Sequence, residues 1–279
     1  MDSLSAIPID RVKEFWNRRP CNVRHSPQPV GTRRYFDEVE ARKYFVEPHI
    51  SRFAQFERWR GKRVLEIGCG LGTDTIKFAQ NGAWVTAVDL SEKSLEVARQ
   101  RAQVYGLQDR IQFYCGNAET LDTLLPTASY DLVYSFGVIH HTPHPERVIA
   151  QIRQFVHPSS TIKIMIYYRW AWKALEILLT HGRGKVWRWA AEVARHSEAQ
   201  TGCPITYTYT RRQARALLER HGFQTTEMEL HHIFPYRIPD YTQYRYVKTW
   251  YFRPMPPALF HWLEKHYGWH LCLTVKPQE

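Results

Sequence analysis

The sequence predicts a doubly wound α/β fold, and three observations carry that prediction. Short apolar runs rich in branched residues alternate with amphipathic stretches from residue 63 to 168. The first run ends in glycines at alternate positions, Gly68, Gly70 and Gly72. A chain of 279 residues with 44% hydrophobic content can bury a complete core. Strand and helix in strict alternation at this spacing build right-handed βαβ units and hence a mostly parallel sheet covered on both faces.

Residues 1–59 form an N-terminal segment read as a cap or lid. Over 1–38 polar, basic and aromatic residues mix, and Pro20, Pro27 and Pro29 break any long helix. From 39 to 59, Tyr44, Phe45, Phe53 and Phe56 recur at helical spacing, with a break at Pro48.

Residues 60–279 read as the main domain. Residues 63–67 are a buried strand running into the glycines, and 73–80 a helix. A second strand covers 84–90. Ser91 caps the next helix, whose apolar face is Leu95, Ala98, Ala102 and Tyr105. Strands follow at 111–115 and 130–136. Val148, Ile149, Ile152, Phe155 and Val156 mark a further helix, and 161–168 is the fifth strand.

After Tyr168 the rhythm changes. Residues 170–198 read as helical, rich in Trp and basic residues. Thr210 and Gln213 form a capping box for a helix that Gly222 closes. Residues 223–234 and 269–275 read as two more strands, with a helix near 257–267. Segments 169–203 and 236–258 are read as substrate-side insertions, after the fifth and sixth strands, in one domain.

The net charge of +11 invites an anionic partner without choosing one. Five scattered cysteines with no CxxC pair, and no apolar leader at the first residues, predict a reduced, cytoplasmic protein. No apolar run reaches the roughly 18–20 residues of a membrane span.

The glycine turn carries the chemistry. Glycines after a buried strand let backbone approach a ligand, and the following helix points its N-terminus into the same crevice. The spacing is GxGxG; Thr73 stands where the dinucleotide fingerprint needs its third glycine, which argues against a nicotinamide-dependent dehydrogenase. Asp89, ending the next strand, sits about 20 residues on, where an acidic side chain grips a ribose diol.

The runs VLEIGCGLG (64–72), VTAVDLS (85–91), GNAE (116–119) and YDLVYS (130–135) resemble the class I methyltransferases that use S-adenosylmethionine (SAM). Within them the likeness is to the small-molecule group that includes the ubiquinone and menaquinone biosynthesis enzymes. The resemblance covers residues 60–168, with weaker support from 204–277. It implies a Rossmann-like seven-stranded sheet with the last strand antiparallel, SAM as methyl donor and S-adenosylhomocysteine (SAH) as product. It also implies that Glu66, Gly68, Cys69, Gly70 and Gly72 line the methionine and ribose, and that Asp89 holds the ribose hydroxyls. Leu90 would pack on the adenine, Asn117 and Ala118 would meet its edge, and Ser135 and Phe136 would face the methionine chain. The adenine-edge position is usually Asp in this group; Asn117 can still accept a hydrogen bond through its amide oxygen.

Displacement at a sulfonium needs alignment above all, with a base where the acceptor carries a proton. His140 and His141, just past the fourth strand, are the candidate bases, and the resemblance favours His140 facing the acceptor. His140, His141 and His144 give H-H-x-x-H, but nearby carboxylates are few and a zinc site needs three or four converging ligands, so no metal is expected. His231 and His232 fall in a strand and face opposite sides, so one of them faces the cleft. Tyr35, Tyr168, His232 and Tyr236 are candidate substrate contacts among the added aromatic segments. The expected acceptor is an oxygen or nitrogen, less readily a carbon, of a small aromatic or anionic metabolite. A nucleic-acid acceptor is the alternative that the charge invites, but no Pro-Pro-aromatic signature follows the fourth strand. A non-catalytic SAM-binding partner subunit is a further alternative.

Overall fold

The computed structural model describes residues 4–182, 189–197 and 203–278. Three helices precede the sheet: α1 (Ile9–Arg18), α2 (Arg33–Val46) and α3 (His49–Ala54). The sheet region runs β1 (Arg63–Ile67), α4 (Thr73–Gln80), β2 (Trp84–Asp89), α5 (Glu92–Val104), β3 (Ile111–Cys115), α6 (Leu121–Leu124), β4 (Tyr130–Phe136), α7 (Pro145–Gln154) and β5 (Val156–Tyr167). Then follow α8 (Trp172–Thr180), α9 (Trp189–His196), α10 (Arg211–Glu219), β6 (Phe223–His231), α11 (Ile238–Tyr241), α12 (Pro257–Tyr267) and β7 (His270–Pro277).

The seven strands lie in the order β3-β2-β1-β4-β5-β7-β6. β1 to β5 pair in parallel, and β7 enters antiparallel between β5 and β6. Successive residues of β1 serve opposite faces, as the pleat demands. Val64 joins Phe78, Phe56 and Tyr134 on one side, while Leu65 and Ile67 join Ile149, Ile152 and Leu218 on the other. A strand buried on both faces is why Val64, Leu65 and Ile67 crowd into one short segment, with Glu66 the buried exception.

Ser91 caps α5 by accepting the Ser94 N–H, and the Thr210–Gln213 capping box is formed in both directions. Several bounds differ from the sequence reading, each for a local reason. β5 begins at Val156, because Val156 pairs with Tyr130 ahead of a bulge instead of extending α7. β6 stops at His231, because His232 turns left-handed (φ 72°) and leaves the ladder. The helical reading of 170–198 becomes α8 and α9; residues 183–188 and 198 lie outside the described residues.

The N-terminal segment is more regular than its prolines suggest. α1 presents Val12 inward and meets Cys203 and Ile205. α2 begins at Thr32, whose side chain accepts the Tyr35 N–H, and breaks before Pro48 as predicted. Its partners are buried polar groups. Fully buried Arg101 of α5 donates to Thr73 Oγ1 (2.6 Å) and to the Phe36 carbonyl and Glu40 (both 3.2 Å). Asp74 of α4 accepts from Lys43 Nζ (2.7 Å), Tyr44 Oη (3.0 Å) and Tyr134 Oη (2.9 Å). Buried ionic groups satisfied this fully hold register between elements, and losing one partner strands the others. They fasten α2 over the C-terminal ends of the strands. Among the described residues, no helix is long and apolar enough to cross a membrane.

Candidate functional site

A cavity of about 320 Å³ opens at the C-terminal ends of β1, β2 and β4, where doubly wound sheets bind ligands. One end is made by the glycine turn, Asp89, Leu90, Asn117, Ala118 and Phe136. The other is made by Lys43, His141, Tyr167, Lys173, His232 and His270, with Trp16, His25 and Tyr241 contributed by the cap and the later insertion.

Gly68 donates its N–H to the Val88 carbonyl (2.7 Å) at φ 79°. A Cβ there would fall 2.1 Å from Val138 Cγ2, so the turn can pass the β4 loop only as glycine. Gly70 donates to Asp89 Oδ2 (2.8 Å), and Ser91 N–H donates to Asp89 Oδ1 (2.8 Å). A carboxylate oxygen can accept about two hydrogen bonds, so Asp89 keeps acceptor capacity at the cavity wall. Burial pushes its carboxyl up, opposed by the amides of Ser91, Gly70 and Leu90.

Gly68, Cys69, Gly70, Asp89, Leu90, Asn117, Ala118 and Phe136 therefore converge on one cavity. Three other cofactor candidates do not line it. Gly72 is the left-handed N-cap of α4, packed against Ala98. Glu66 lies behind the turn and accepts from Thr75 Oγ1 (2.5 Å); burial and the neighbouring Asp74 push its carboxyl up to about 8. Ser135 is fully buried and faces away, because its side chain alternates with that of Phe136 along β4. Asn117 lines the wall while its side-chain oxygen accepts the Glu119 N–H (3.0 Å), which orients the amide.

The two histidines after β4 stand opposite to expectation. His140 is fully buried behind the wall, its ring 3.8 Å from that of Tyr167, and neither ring nitrogen has a hydrogen-bond partner among the described residues. Burial holds its imidazole well below the ordinary range, hence neutral. The 3₁₀ turn Ile139–His141 instead delivers His141 to the cavity. Its Nδ1 lies 2.7 Å from the Ile205 carbonyl, which can only accept, so that nitrogen carries the proton and Nε2 the lone pair.

Of the substrate candidates only His232 lines the cavity, and His231, bonded to Glu229, does not. Tyr35 is fully buried among Phe36, Val97 and Val104, its hydroxyl donating to the Val23 carbonyl (2.8 Å). Tyr168 sits beyond the wall, its N–H bonded to the Trp269 carbonyl. Tyr236 packs on Phe45 and Tyr246. Sequence reading missed Lys43, His25, His49 and His270, which come from distant segments. The one local signal was Asp74 in the first turn after the glycines, a carboxylate too deep for solvent and so in need of a cation.

Against known proteins, residues 64–159 match the family model described as a methyltransferase domain. A ubiquinone biosynthesis O-methyltransferase of Idiomarina loihiensis is 39% identical over 102 residues, 37% of this chain and 41% of that protein. A 27-O-demethylrifamycin SV methyltransferase of Amycolatopsis mediterranei is 34% identical over 105 residues, 37% of this chain and 38% of that protein. The matched stretch thus spans about two fifths of these relatives' length. A magnesium protoporphyrin IX methyltransferase from Synechocystis PCC 6803, solved with bound SAH, superposes with a TM-score of 0.59 at 16% identity, over 97% of this chain and all of that one. The [4+2]-cyclase SpnF superposes at 0.58 and 17% identity, over 96% of this chain and 93% of that one. These likenesses establish the fold over nearly the whole chain, and the cyclase shows that the fold serves more than one reaction.

Proposed function

We propose that this chain, whose residues 64–159 form a methyltransferase domain, transfers a methyl group from SAM to an oxygen or nitrogen of a small metabolite. The observation that carries the reading is Asp89, clamped by the amides of Gly70 and Ser91 at the rim of a cavity shared with Asn117 and Phe136. The residues suit the donor. The Asp89 carboxylate, with spare lone pairs, would hold a diol, the apolar Leu90 and Ala118 would hold an adenine, and the glycine turn would leave room for the chain between.

Bound SAM would supply an electrophilic methyl with a good leaving group. The protein's own part is alignment, dryness and a proton acceptor. Phe136 bounds the cavity between the glycine turn and the histidine-lined end, which directs the acceptor toward the donor. Trp16 of α1 and Lys43 of α2 roof the cavity and exclude water. His141, with Nδ1–H held by Ile205, accepts the acceptor's proton at Nε2. Aromatic and cationic walls of Tyr167, Lys173, Trp269 and Tyr241 suit an aromatic or anionic acceptor.

Calorimetry with SAH tests this directly. One site per chain supports it, and absence of binding to SAH and SAM alike ends it. Labelled-methyl transfer into a metabolite extract, compared with transfer into RNA, then separates the small-molecule reading from the nucleic-acid one.

A further inference from the structure

Three histidines from distant parts of the chain meet at the acceptor end of the cavity. His49 opens α3 behind Pro48, His232 follows β6, and His270 opens β7. One nitrogen from each falls within 4.8 Å of the others. His49 Nε2 lies 3.0 Å from His270 Nδ1, and the rings of His232 and His270 stack at 4.4 Å. Tetrahedral zinc with nitrogen bonds of about 2.0 Å holds its ligand atoms about 3.3 Å apart. The first pair is already at that spacing, and modest ring rotation brings in the third.

Two of the three rings have a supporting group on their outer side. Glu47 Oε1 stands 3.7 Å from His270 Nε2, and His232 hydrogen-bonds the backbone of Val46. Two adjacent residues at the end of α2 thus stand behind two of the three rings, Val46 within hydrogen-bond reach and the Glu47 carboxylate slightly beyond it, where metal-bound histidines commonly find carboxylate or carbonyl support. The nearby cations are engaged: Lys43 with Asp74, and Lys173 with the Ser197 carbonyl. His232 and His270 both line the cavity, leaving its space as a fourth position. Phe136 stands beside the cluster, its ring 5.5 Å from His270 and 5.9 Å from His49.

We propose that His49, His232 and His270 form a tris-imidazole site for a divalent transition ion of the zinc class, whose open position takes the acceptor's hydroxyl. All-nitrogen donors select such ions over magnesium or calcium, which require oxygen. The acceptor role rests on the methyl-transfer reading above; the metal site does not. In that role the ion polarises the hydroxyl, which releases its proton to His141. An oxygen lone pair then forms the O–C bond as the C–S bond breaks, and its electron pair stays on the sulfur of SAH. Nothing is oxidised or reduced. Among the imidazoles, His49 shifts its proton from Nε2 to Nδ1 as the ion replaces the His49–His270 hydrogen bond.

The test uses the full chain without an affinity tag and zinc alone, in competition with a chromophoric chelator. One equivalent per chain is expected, and cobalt(II) should give the intense visible bands of a four-coordinate site. His49→Ala, His232→Ala and His270→Ala should each weaken zinc more than about 100-fold, and Glu47→Gln about 10-fold as an outer partner. His266→Ala, exposed on α12, should change nothing. SAH binding by the His270→Ala protein checks that its fold survives. Wild-type protein that takes up neither ion, or zinc binding indifferent to all three histidine substitutions, overturns the site. Zinc binding without SAH binding keeps the site and removes the methyl-transfer reading; the reverse removes the site alone.

Discussion

Asp89 Oδ2 accepts the Gly70 N–H at 2.8 Å, joining the end of β2 to the centre of the glycine turn across 19 residues of chain. The side chain that would hold the ribose therefore also sets the backbone that would hold the rest of the donor. Asp89→Ala should weaken SAH binding about 10–100-fold, the range for a lost hydrogen bond to a charged group. Asp89→Asn, which keeps one acceptor oxygen, should fall between. Calorimetry decides; wild-type affinity in the Ala variant would remove Asp89 from the site.

Gly68→Ala should destabilise the fold by about 2–4 kcal/mol. Left-handed backbone costs a residue with a Cβ about 1–2 kcal/mol, and the collision with Val138 adds overpacking strain. Urea unfolding of Gly68→Ala and of Gly68→Ala/Val138→Ala separates these contributions. The double variant should recover the steric part and retain the conformational part.

His141→Ala should lower turnover about 10²–10⁴-fold with SAH affinity kept near wild type, as loss of a base would. His140→Ala should act through packing, because the ring is buried against Tyr167 outside the cavity wall. The checks are turnover and Tm on both variants. Normal turnover in His141→Ala would exclude it as an essential base.

Stability should fall as pH drops below about 6.5. Burial is the chief cause that holds His25 at about 3, His49 at about 2 and His232 at about 3, with nearby cations adding to it. Their folded pKa values lie below the unfolded value, so acid protonates the unfolded chain first. The stability of the neutral rings is complete above the unfolded pKa and is lost as pH falls toward the folded one, at about 1.4 kcal/mol per unit for each ring. Glu66, raised to about 8, works in the opposite sense between about 4.5 and 8. Three rings against this carboxyl leave a net loss toward acid. Chemical denaturation from pH 5 to 8 measures it, and a curve flat below 6.5 would contradict the burial of these rings.

The parallel strands, the glycine turn, Asp89 and the capping of α5 and α10 were legible because each is a local pattern. Alternation reports burial on two faces, glycines report left-handed backbone, and a hydroxyl before a helix reports a cap. Helix α1 carries Ile9, Val12, Phe15 and Trp16 at helical spacing and packs them together, but the polar residues between them and the prolines that follow mask so short a helix in the sequence. The aromatic substrate candidates lie off the cavity for another reason. An aromatic ring in an added segment packs in a core as readily as in a cavity, and Tyr35 and Tyr236 pack on other rings.

By itself the sequence determined the sheet's parallel half and the crevice at the end of β1 and β2, because each strand, helix and glycine turn involved is a pattern within one short segment. Only the tertiary structure decided what stands at the other end of the cavity. His141 displaces His140 there through a single 3₁₀ turn, and His232 enters through one left-handed residue. His49 meets His270 across 221 residues because β7 inserts between β5 and β6 while Asp74 and Arg101 hold the cap in place. Such contacts depend on how packed elements close on one another, and no local periodicity records that.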